Sequence, residues 1–264
     1  MPELPDVQVF KEYLDSTALH REIESVDVGS TDVLEDVSKR ELAGSLPGRS
    51  IESSRRHGKW LFGELSGDEP GWLLLHFGMT GSLEAWKGED DPPEHARVRL
   101  DFEDGWHLAF VCPRKLGRVG LVDDVEVFVE ERELGPDALE VERETFVEAL
   151  SGKRGTLKGA LMNQSLLAGI GNEYSDEILF QAGLHPRTAV SELDEERLGE
   201  LFDTMREVLE TAIEARVDTS RMPDDWHLPH RHGDGTCPKC GKNLQRLAVV
   251  GLSVYWSPDA QSRP

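Results

Sequence analysis

Residues 156–186 read TLKGALMNQSLLAGIGNEYSDEILFQAGLHP and carry the strongest structural signal in the chain. Apolar residues recur at helical spacing over 156–168 and again over 172–182. Between them, the GIGN turn at 169–172 leads into a helix N-terminus. Unpaired N–H groups and the helix dipole favour an anion there, although such glycines also serve close packing alone. The stretch therefore predicts two helices joined at a candidate anion-binding turn.

The chain around this stretch divides into a β-rich part and a helical part. Helical periodicity recurs over 145–151 and 192–216, and also over 5–19 near the N-terminus. Short β-like runs separated by turn signals fill residues 22–130. The runs are IESVDV, WLFGEL, GWLLLHF, RVRLDF, GWHLAFV and VGLVDDVEVFV. We predict an α+β fold, in which a helix precedes an N-terminal antiparallel β-sandwich and a helical domain follows it.

Changes in composition and turn-forming residues indicate where the domains meet. An acidic stretch at 123–150 is interrupted by Leu-Gly-Pro-Asp at 134–137. Near the C-terminus, a Cys-Pro-Lys-Cys turn at 237–240 precedes an apolar run at 247–256 that suits a β-hairpin. We therefore predict domains at 1–132, 133–225 and 226–264, the last of them a β-hairpin finger.

The net charge argues against a nucleic-acid partner. The chain has 51 acidic and 29 basic side chains, a formal charge of −22, which repels polyanions from most of its surface. Its basic residues are 20 Arg and 9 Lys, and Ile occurs only five times. This composition is typical of a halophilic protein, for which strong screening is the normal environment. The alternative is a merely acidic protein from a mesophile.

The remaining global features indicate a soluble chain. No run approaches the roughly 18 apolar residues that a membrane span needs. The N-terminal MPELPDVQVF lacks the basic start and apolar core of a secretory signal. Three cysteines, Cys112, Cys237 and Cys240, do not make a disulfide framework. We expect a cytoplasmic monomer with no membrane partner.

The N-terminal Met1-Pro2-Glu3 is able to carry covalent chemistry. Removal of Met1 exposes the secondary amine of Pro2, and α-amino groups titrate near about 8, so part of the population is unprotonated at neutral pH. A secondary amine attacks an aldehydic carbon to give an iminium ion, and Glu3 stands beside it as a proton donor and acceptor. The alternative is structural, because Met-Pro starts are common and acidic residues cap helices.

Met-Pro-Glu-Leu-Pro at 1–5 resembles the start of formamidopyrimidine-DNA glycosylases, and further motifs of that family follow in family order. They are Arg55-Arg56-His57-Gly58-Lys59-Trp60, His76-Phe77-Gly78-Met79-Thr80-Gly81, Cys112-Pro113-Arg114-Lys115-Leu116-Gly117, Leu134-Gly135-Pro136 and 156–186. The chain is thereby identified as a member of the formamidopyrimidine-DNA glycosylase/endonuclease VIII family. The resemblance implies that 156–186 forms a helix–two-turn–helix.

The resemblance implies a bifunctional DNA glycosylase/AP lyase of base excision repair. Pro2 would attack C1′ of a damaged nucleotide in double-stranded DNA, with Glu3 as acid–base partner, and β,δ-elimination would nick the strand. Asp6 stands for the family's second Glu and keeps a carboxylate with a shorter reach. Lys59 matches the phosphate-contacting Lys of the family's β domain. The expected catalytic residues are therefore Pro2, Glu3, Asp6 and Lys59.

The resemblance also implies how the duplex is held open. An apolar wedge fills the space left by an extruded nucleotide, and a cation reaches the orphaned base. Met79 and Leu116 match the wedge, Leu116 in place of the family's Phe. Arg114 faces the widowed base, and Lys115 follows it.

Phosphate contacts are expected around the GIGN turn. Asn172 corresponds to the family's phosphate-binding Asn, and Glu177 is expected to support the same turn. Lys158, one helix earlier, is expected to reach the DNA backbone. The expected DNA-binding residues are therefore Met79, Arg114, Lys115, Leu116, Lys158, Asn172 and Glu177.

The finger departs from the family pattern of two Cys-x-x-Cys pairs, which hold zinc. Cys237 and Cys240 are present, but Ser257 and Ala260 occupy the second pair, so two of four ligands are missing. We expect no cofactor and a zincless hairpin. The alternative is a Cys₂His₂ site completed from upstream histidines, namely His227, His230 and His232.

Two further departures bear on substrate choice. The family's hairpin Arg aligns with Leu252, and Arg246 is the only cation nearby on that hairpin. Residues 218–231 are about a dozen shorter than the family segment that caps a flipped 8-oxoguanine. Three alternatives therefore stand beside the bifunctional enzyme: a non-catalytic damaged-DNA-binding relative, an enzyme for oxidised pyrimidines or ring-opened purines, and a protein-interaction module.

Nine cations occur within or beside these motifs. They are Arg55, Arg56, Lys59, Arg114, Lys115, Arg118, Lys153, Arg154 and Lys158. We therefore expect a narrow cationic cleft on an otherwise anionic body.

Overall fold

The computed structural model describes residues 1–68 and 71–263, which form two compact units. The first unit comprises residues 1–2 and 6–132, and the second comprises residues 3–5 and the chain from Glu133 onward. Helix α1 spans Leu4–Ala18, so its start belongs to the second unit and its remainder to the first. In the described residues, no helix has the length and apolar character that crossing a bilayer demands.

Two β-sheets build the first unit. One has the order β1 (Ile23–Val28), β7 (Ala96–Phe102), β8 (Trp106–Val111) and β6 (Ser82–Lys87), all antiparallel. The other has the order β2 (Leu34–Glu35), β9 (Arg118–Val122), β5 (Trp72–His76), β4 (Trp60–Leu65) and β3 (Ile51–His57), in which the short β2–β9 pair is parallel. A short helix, α2, spans Lys39–Ser45. Buried residues of both sheets and of α1 form one apolar core, which confirms the β-sandwich preceded by a helix.

One predicted strand is wrong in its second half. The run VGLVDDVEVFV forms a strand only as far as Val122, and α3 (Val125–Glu131) follows. The Asp124 carboxylate accepts a hydrogen bond from the backbone N–H of Val127 and so caps this helix. Val125 and Phe128, three residues apart, are buried on the same face. The alternation of apolar residues in VEVFV was therefore a misleading β signal, because the preceding cap selects a helix.

Four α-helices build most of the second unit, in agreement with the predicted helical domain. They are α4 (Arg143–Leu150), α5 (Leu157–Leu161), α6 (Asn172–Gln181) and α7 (Glu195–Glu214), packed around one apolar core. Helix α5 is shorter than the predicted 156–168. The Gln164 side chain ends the helical path, since its amide donates to the carbonyls of Met162 and Ile170, and its oxygen accepts from Gly169 N–H. Two hydrogen-bonded turns thus replace the expected helix end.

The C-terminal residues form the expected β-hairpin. Strands β10 (Gln245–Val249) and β11 (Leu252–Trp256) pair antiparallel around a Val250-Gly251 turn. Both turn residues have positive φ, 51° and 75°, as a tight two-residue hairpin requires. A small cluster of Phe180, Cys237 and Leu244 packs beside this hairpin.

Candidate active site and nucleic-acid interface

The carboxylate of Glu3 occupies the N-terminus of α6. Its side chain is fully buried and accepts backbone N–H bonds from Gly171 at 2.6 Å, Glu173 at 2.8 Å and Tyr174 at 3.2 Å. The unpaired donors and the dipole of a helix N-terminus favour a negative charge at this position. The anion expected at the GIGN turn is therefore Glu3 of the chain itself.

The glycines of the turn let the N-terminal segment approach closely. A Cβ on Gly171 would collide with the Glu3 carboxylate, and one on Gly169 would collide with Leu4. The Leu4 N–H also donates to the Gly169 carbonyl at 3.0 Å. The sequence predicted that this turn offers free N–H groups to an external anion. That prediction is wrong for the N–H groups of Gly171, Glu173 and Tyr174, because Glu3 already binds them. Pro2, one peptide bond from Glu3, is thereby anchored through its neighbour.

The first unit contains the other expected catalytic side chains. Asp6 lies in the first turn of α1 and is half-buried, as is Lys59 in the β3–β4 turn. The positive charge of Lys59 acts on His76, at the end of β5. Burial, with a smaller effect from Lys59, lowers the pKa of His76 to about 4, so the imidazole is neutral at pH 7.

His76 is a candidate site residue to which the sequence assigned no role. Its ring packs against Trp60 at a tilt of 37°, with centroids 4.5 Å apart, and its Nδ1 accepts from the Gly78 N–H at 3.3 Å. With Nδ1 as acceptor, the neutral ring carries its proton on Nε2 and can donate it. The sequence contained a signal for it, because His76 is the first residue of the motif that contains Met79 and stands at the end of an apolar run.

Met79 and Leu116 lie on two loops that touch each other. Their side chains are among the most exposed large apolar groups described, at 42% and 43%. Gly78 has φ +59°, and a Cβ there would overlap the backbone of Leu116 and Gly117. The absence of a side chain at Gly78 therefore lets the loops meet and brings Met79 and Leu116 close together.

The two cations preceding Leu116 differ in their surroundings. Arg114 is exposed and has no ion pair among residues 1–68 and 71–263. Lys115 adopts a positive φ of 54° and its ammonium lies 2.6 Å from the Asp32 carboxylate. This lysine charge lowers the pKa of Asp32. Arg114 is thus the more available cation beside the apolar pair.

Lys158, for which a contact with the DNA backbone is expected, lies in the interior of the second unit. The Lys158 side chain is fully buried and donates to Asp176 at 2.6 Å, to Ser175 Oγ at 2.7 Å and to the Asn172 carbonyl at 3.0 Å. Burial lowers the pKa of this ammonium, while Asp176 opposes the shift. Lys158 therefore braces the start of α6 from inside the second unit, because all its donors are used there.

Glu177, which was expected to support the turn at 169–172, binds the segment at 227–228 instead. Its buried carboxylate accepts from the backbone N–H groups of His227 at 3.2 Å and Leu228 at 2.6 Å, and from the Gln181 amide at 2.7 Å. Burial raises the pKa of Glu177 to about 7 despite these donors. The turn at 169–172 is held by Glu3, and Glu177 holds the 227–228 segment.

Asn172 ties the start of α6 to the hairpin. Its amide Nδ2 donates to the Ser253 carbonyl of β11 at 3.4 Å, and its Oδ1 is buried with no hydrogen-bond partner among the described residues. Strand register places Leu252 and Arg246 on opposite faces of the hairpin, since Arg246 pairs with Tyr255. Arg246 donates to Ser253 Oγ. It therefore does not occupy the position of the family's hairpin Arg, which is Leu252 in this chain.

Part of the expected cationic cluster is paired with carboxylates of the same unit. Four of its nine members form ion pairs with carboxylates, and Arg56 is buried against Gln8 and the Gly58 carbonyl. The ion pairs are Arg55–Glu126, Lys115–Asp32, Arg118–Glu35 and Lys158–Asp176. These four cations have carboxylate partners of their own unit, and the narrow cationic cleft stays a prediction.

The residues of the finger do not fit a zinc ion. Cys240 Sγ lies 3.6 Å from the Ser257 hydroxyl, a neutral group that is not among the usual zinc ligands. His227 stacks on Phe180 with centroids 4.9 Å apart, and its ring nitrogens are buried with no partner in the described chain. Across residues 1–68 and 71–263, no group of three or more His, Cys, Asp or Glu is arranged to hold a metal. The histidine-completed alternative therefore finds no support.

The segment that follows α7 is held firmly against α6. Trp226 is buried in the helical core, and the Arg231 guanidinium donates to Asp176 at 2.7 and 2.9 Å. Together with the Glu177 bonds to 227–228, these contacts fix both the backbone and the side chains of the segment.

Comparisons with known proteins agree with this arrangement. Residues 1–119 match the formamidopyrimidine-DNA glycosylase N-terminal domain, and residues 134–224 match the H2TH domain of the same enzymes. The formamidopyrimidine-DNA glycosylase of Geobacter metallireducens is 33% identical over 99% of this chain and 100% of its own length. The corresponding protein of Herpetosiphon aurantiacus is 30% identical, again over 99% and 100%. The chain belongs to the formamidopyrimidine-DNA glycosylase family.

A solved structure gives the same answer for the fold. The Lactococcus lactis formamidopyrimidine-DNA glycosylase, bound non-covalently to DNA containing an AP site, superposes with a TM-score of 0.88. It is 27% identical, and the match covers 99% of this chain and 100% of that one. The α+β fold and the family membership predicted from the motifs are both confirmed.

Proposed function

We propose that this chain is a bifunctional DNA glycosylase/AP lyase that removes oxidised bases from double-stranded DNA in base excision repair. The observation that carries the proposal is the N-terminal pair: Pro2 adjoins Glu3, whose buried carboxylate is anchored by three N–H groups of α6 and the turn before it. A nucleophile must be held rigidly to react, and this anchor supplies the rigidity. The curated relatives carry the corresponding enzyme name.

The chemistry needs only groups of this chain and the substrate. After Met1 is removed, the Pro2 nitrogen attacks C1′, the glycosidic bond breaks, and the base departs with the proton that the nitrogen gives up. The C1′–O4′ bond then breaks, O4′ takes a proton from a carboxylic acid of the site, and the sugar ring opens. The resulting iminium makes the C2′ proton acidic, and its removal expels the 3′ phosphate. A second elimination expels the 5′ phosphate, and water releases the sugar remnant from Pro2. Glu3 and Asp6 are the proposed proton carriers.

Base extrusion is assigned to the two touching loops of the first unit. Met79 and Leu116 would enter the stack from which the nucleotide leaves, and Arg114 would face the remaining base. Lys59 and the neutral His76 would contact phosphate as charged and uncharged donors, respectively. Asn172 would contribute at the start of α6, with Glu3, Lys158 and Glu177 as supports of the second unit.

The fixed segment after α7 favours lesions other than 8-oxoguanine. Glu177 and Asp176 hold residues 227–231 in place, and Leu252 provides no cation at the hairpin tip. A segment held this way is poorly suited to close over a flipped base. We propose ring-opened purines or oxidised pyrimidines as preferred substrates, and a cytoplasmic, monomeric, zinc-independent enzyme.

Borohydride trapping tests the covalent step directly. The Met1-processed protein is incubated with an abasic duplex and reductant, and a covalent protein–DNA adduct at the N-terminal peptide is expected. In Pro2→Leu, the large second residue retains Met1, so adduct and nicking should be lost while duplex binding persists. Binding without any adduct in the processed wild type would instead identify the non-catalytic relative.

A lesion panel tests the proposed substrate preference separately. Duplexes carrying a ring-opened guanine, an oxidised thymine or 8-oxoguanine opposite cytosine are compared under single-turnover conditions. The first two are expected to be excised faster. Preferred excision of 8-oxoguanine would contradict the argument from the fixed segment and leave the enzyme class intact.

A further inference from the structure

Cys237 and Cys240 form a chemically competent pair that the proposed glycosylase chemistry does not use. Residues 238–240 form a turn, closed by a hydrogen bond from the Gly241 N–H to the Cys237 carbonyl at 2.8 Å. Cys237 and Cys240 stand at the two ends of this turn, which brings them together. Turns of this size place their ends within the Cα separation that a disulfide requires. The pair is therefore positioned for a bond between its own sulfurs.

One of the two thiols is accessible to solvent and the other is buried, as in a pair made of an attacking and a resolving cysteine. Cys240 is exposed, whereas Cys237 is 1% exposed and packs with Phe180 and Leu244. The third cysteine, Cys112, is buried in the core of the first unit. An oxidant in solution therefore meets Cys240 first, and the nearest thiol that can react with the product is Cys237.

A hydroxyl group lies beside the Cys240 sulfur, and a lysine precedes Cys240 in the turn. The Ser257 hydroxyl is 3.6 Å from that sulfur. The ammonium of Lys239, in the same turn, lies 4.8 Å from the centroid of the Phe180 ring. A hydroxyl at an accessible sulfur, with a lysine as the preceding residue, is typical of a reactive cysteine.

We propose that Cys237 and Cys240 form a reversible thiol–disulfide site that is oxidised by hydroperoxides. The Cys240 thiolate attacks the peroxide, the O–O bond breaks, and Cys240 becomes a sulfenic acid while the peroxide leaves as an alcohol or water. The Cys237 sulfur then attacks Cys240, and water leaves with the Cys237 proton. The dithiol loses two electrons, the peroxide gains them, and a dithiol reductant restores the starting state.

Mass spectrometry of the intact protein tests the site independently of any DNA activity. The reduced, metal-analysed chain is treated with hydrogen peroxide, and a loss of two hydrogen atoms is expected, mapped to a Cys237–Cys240 peptide and reversed by dithiothreitol. A stoichiometric zinc ion that protects both thiols, or stable oxygen addition at Cys240 with no disulfide, would overturn the proposal.

Variants assign the roles of the two thiols. Cys237→Ala should stop at the Cys240 sulfenic acid, trapped by a dione reagent, and Cys240→Ser should abolish the reaction. Cys112→Ser is the matched control and should react as the wild type does. Because Cys240 is exposed, Cys240→Ser is expected to fold, so unchanged peroxide consumption in that variant would contradict the mechanism even if Cys237→Ala fails to fold.

Discussion

Glu3 shows how one side chain can serve both structure and reaction. The expectation from the sequence was an acid–base group, and the structure adds three N–H bonds at the start of α6. A loss of activity on mutating Glu3 therefore has two sources. The start of α6 loses its cap, and the active site loses a proton carrier. Stability and chemistry have to be measured separately to distinguish them.

Glu3→Gln is expected to destabilise the chain by about 2–4 kcal/mol, because an amide oxygen cannot replace a carboxylate that accepts three N–H bonds. Urea unfolding checks this, with the exposed Glu24→Gln as the control for a lost charge. Single-turnover nicking is then measured under conditions where Glu3→Gln is folded. A variant as stable as Glu24→Gln would contradict the capping role.

Glu177 makes stability depend on pH in the opposite direction to most carboxylates. Its pKa is about 7 in the folded chain, against a usual value of 4.5. Between these values the folded state keeps a proton that the unfolded state releases, so rising pH favours unfolding. The contribution of Glu177 is therefore full below pH 4.5 and lost by about pH 7, with an upper size of about 3 kcal/mol.

Glu177→Gln is expected to remove this component. The unfolding free energy of wild type relative to Glu177→Gln should fall by up to about 3 kcal/mol between pH 4.5 and 8. Denaturant titrations at several pH values measure the difference, which cancels the contributions of the other carboxylates. A difference that stays constant or rises with pH would contradict the raised pKa.

At the scale of elements, a buried ion cluster fixes the start of α6. Asp176 binds Lys158 on one oxygen and Arg231 on the other, with both lysine and aspartate side chains fully buried. Removing one member of such a cluster leaves a charge unpaired in a dry environment, which is the costly outcome. The cluster also links α5, α6 and the segment after α7.

Asp176→Leu is expected to destabilise more than Lys158→Met, because the carboxylate neutralises two cations. The single changes should cost on the order of 3–5 kcal/mol, and the double variant should recover part of the loss in Asp176→Leu. A double-mutant cycle by chemical unfolding measures the coupling. Additive effects of the two changes would show that the buried pair has no net interaction.

Elements were predictable where their signal was local. The periodicity of α6 and α7 and the alternation in β10 and β11 depend on neighbouring residues, so these elements appear close to their predicted bounds. Two predictions from periodicity were wrong. Helix α5 is shorter than predicted, where the Gln164 side chain binds the backbone, and residues 125–129 form a helix instead of a strand, because Asp124 caps it. Such side-chain bonds to backbone are weak signals in a sequence.

At the scale of the whole molecule, the negative net charge of the chain opposes the binding of DNA, which is itself a polyanion. The net charge is −22, and several cations near the motifs already pair with carboxylates of the same unit. Fewer charges are then left to neutralise phosphates, while the acidic surface repels DNA. High salt weakens the repulsion as well as the attraction.

Binding of an abasic-analogue duplex is therefore expected to depend weakly on salt. Between about 50 and 200 mM KCl, affinity should fall by less than about tenfold, against the 10³–10⁵ typical of proteins with six to ten phosphate contacts. Fluorescence anisotropy across a KCl series, in buffers matched for pH, measures the slope. A steep loss would show that the paired cations are released to bind phosphate. A shallow slope is also what a halophilic enzyme requires.

The sequence by itself determined the family, the order of the elements and the residue types at the N-terminus, because motifs such as MPELP and GIGN are contiguous. Only the tertiary structure decided which groups meet. Glu3 caps a helix about 170 residues away, Lys158 points inward, and Glu177 holds residues 227–228. These pairings join distant parts of the chain, and burial and hydrogen-bond geometry, which a linear pattern does not contain, select among the candidate partners.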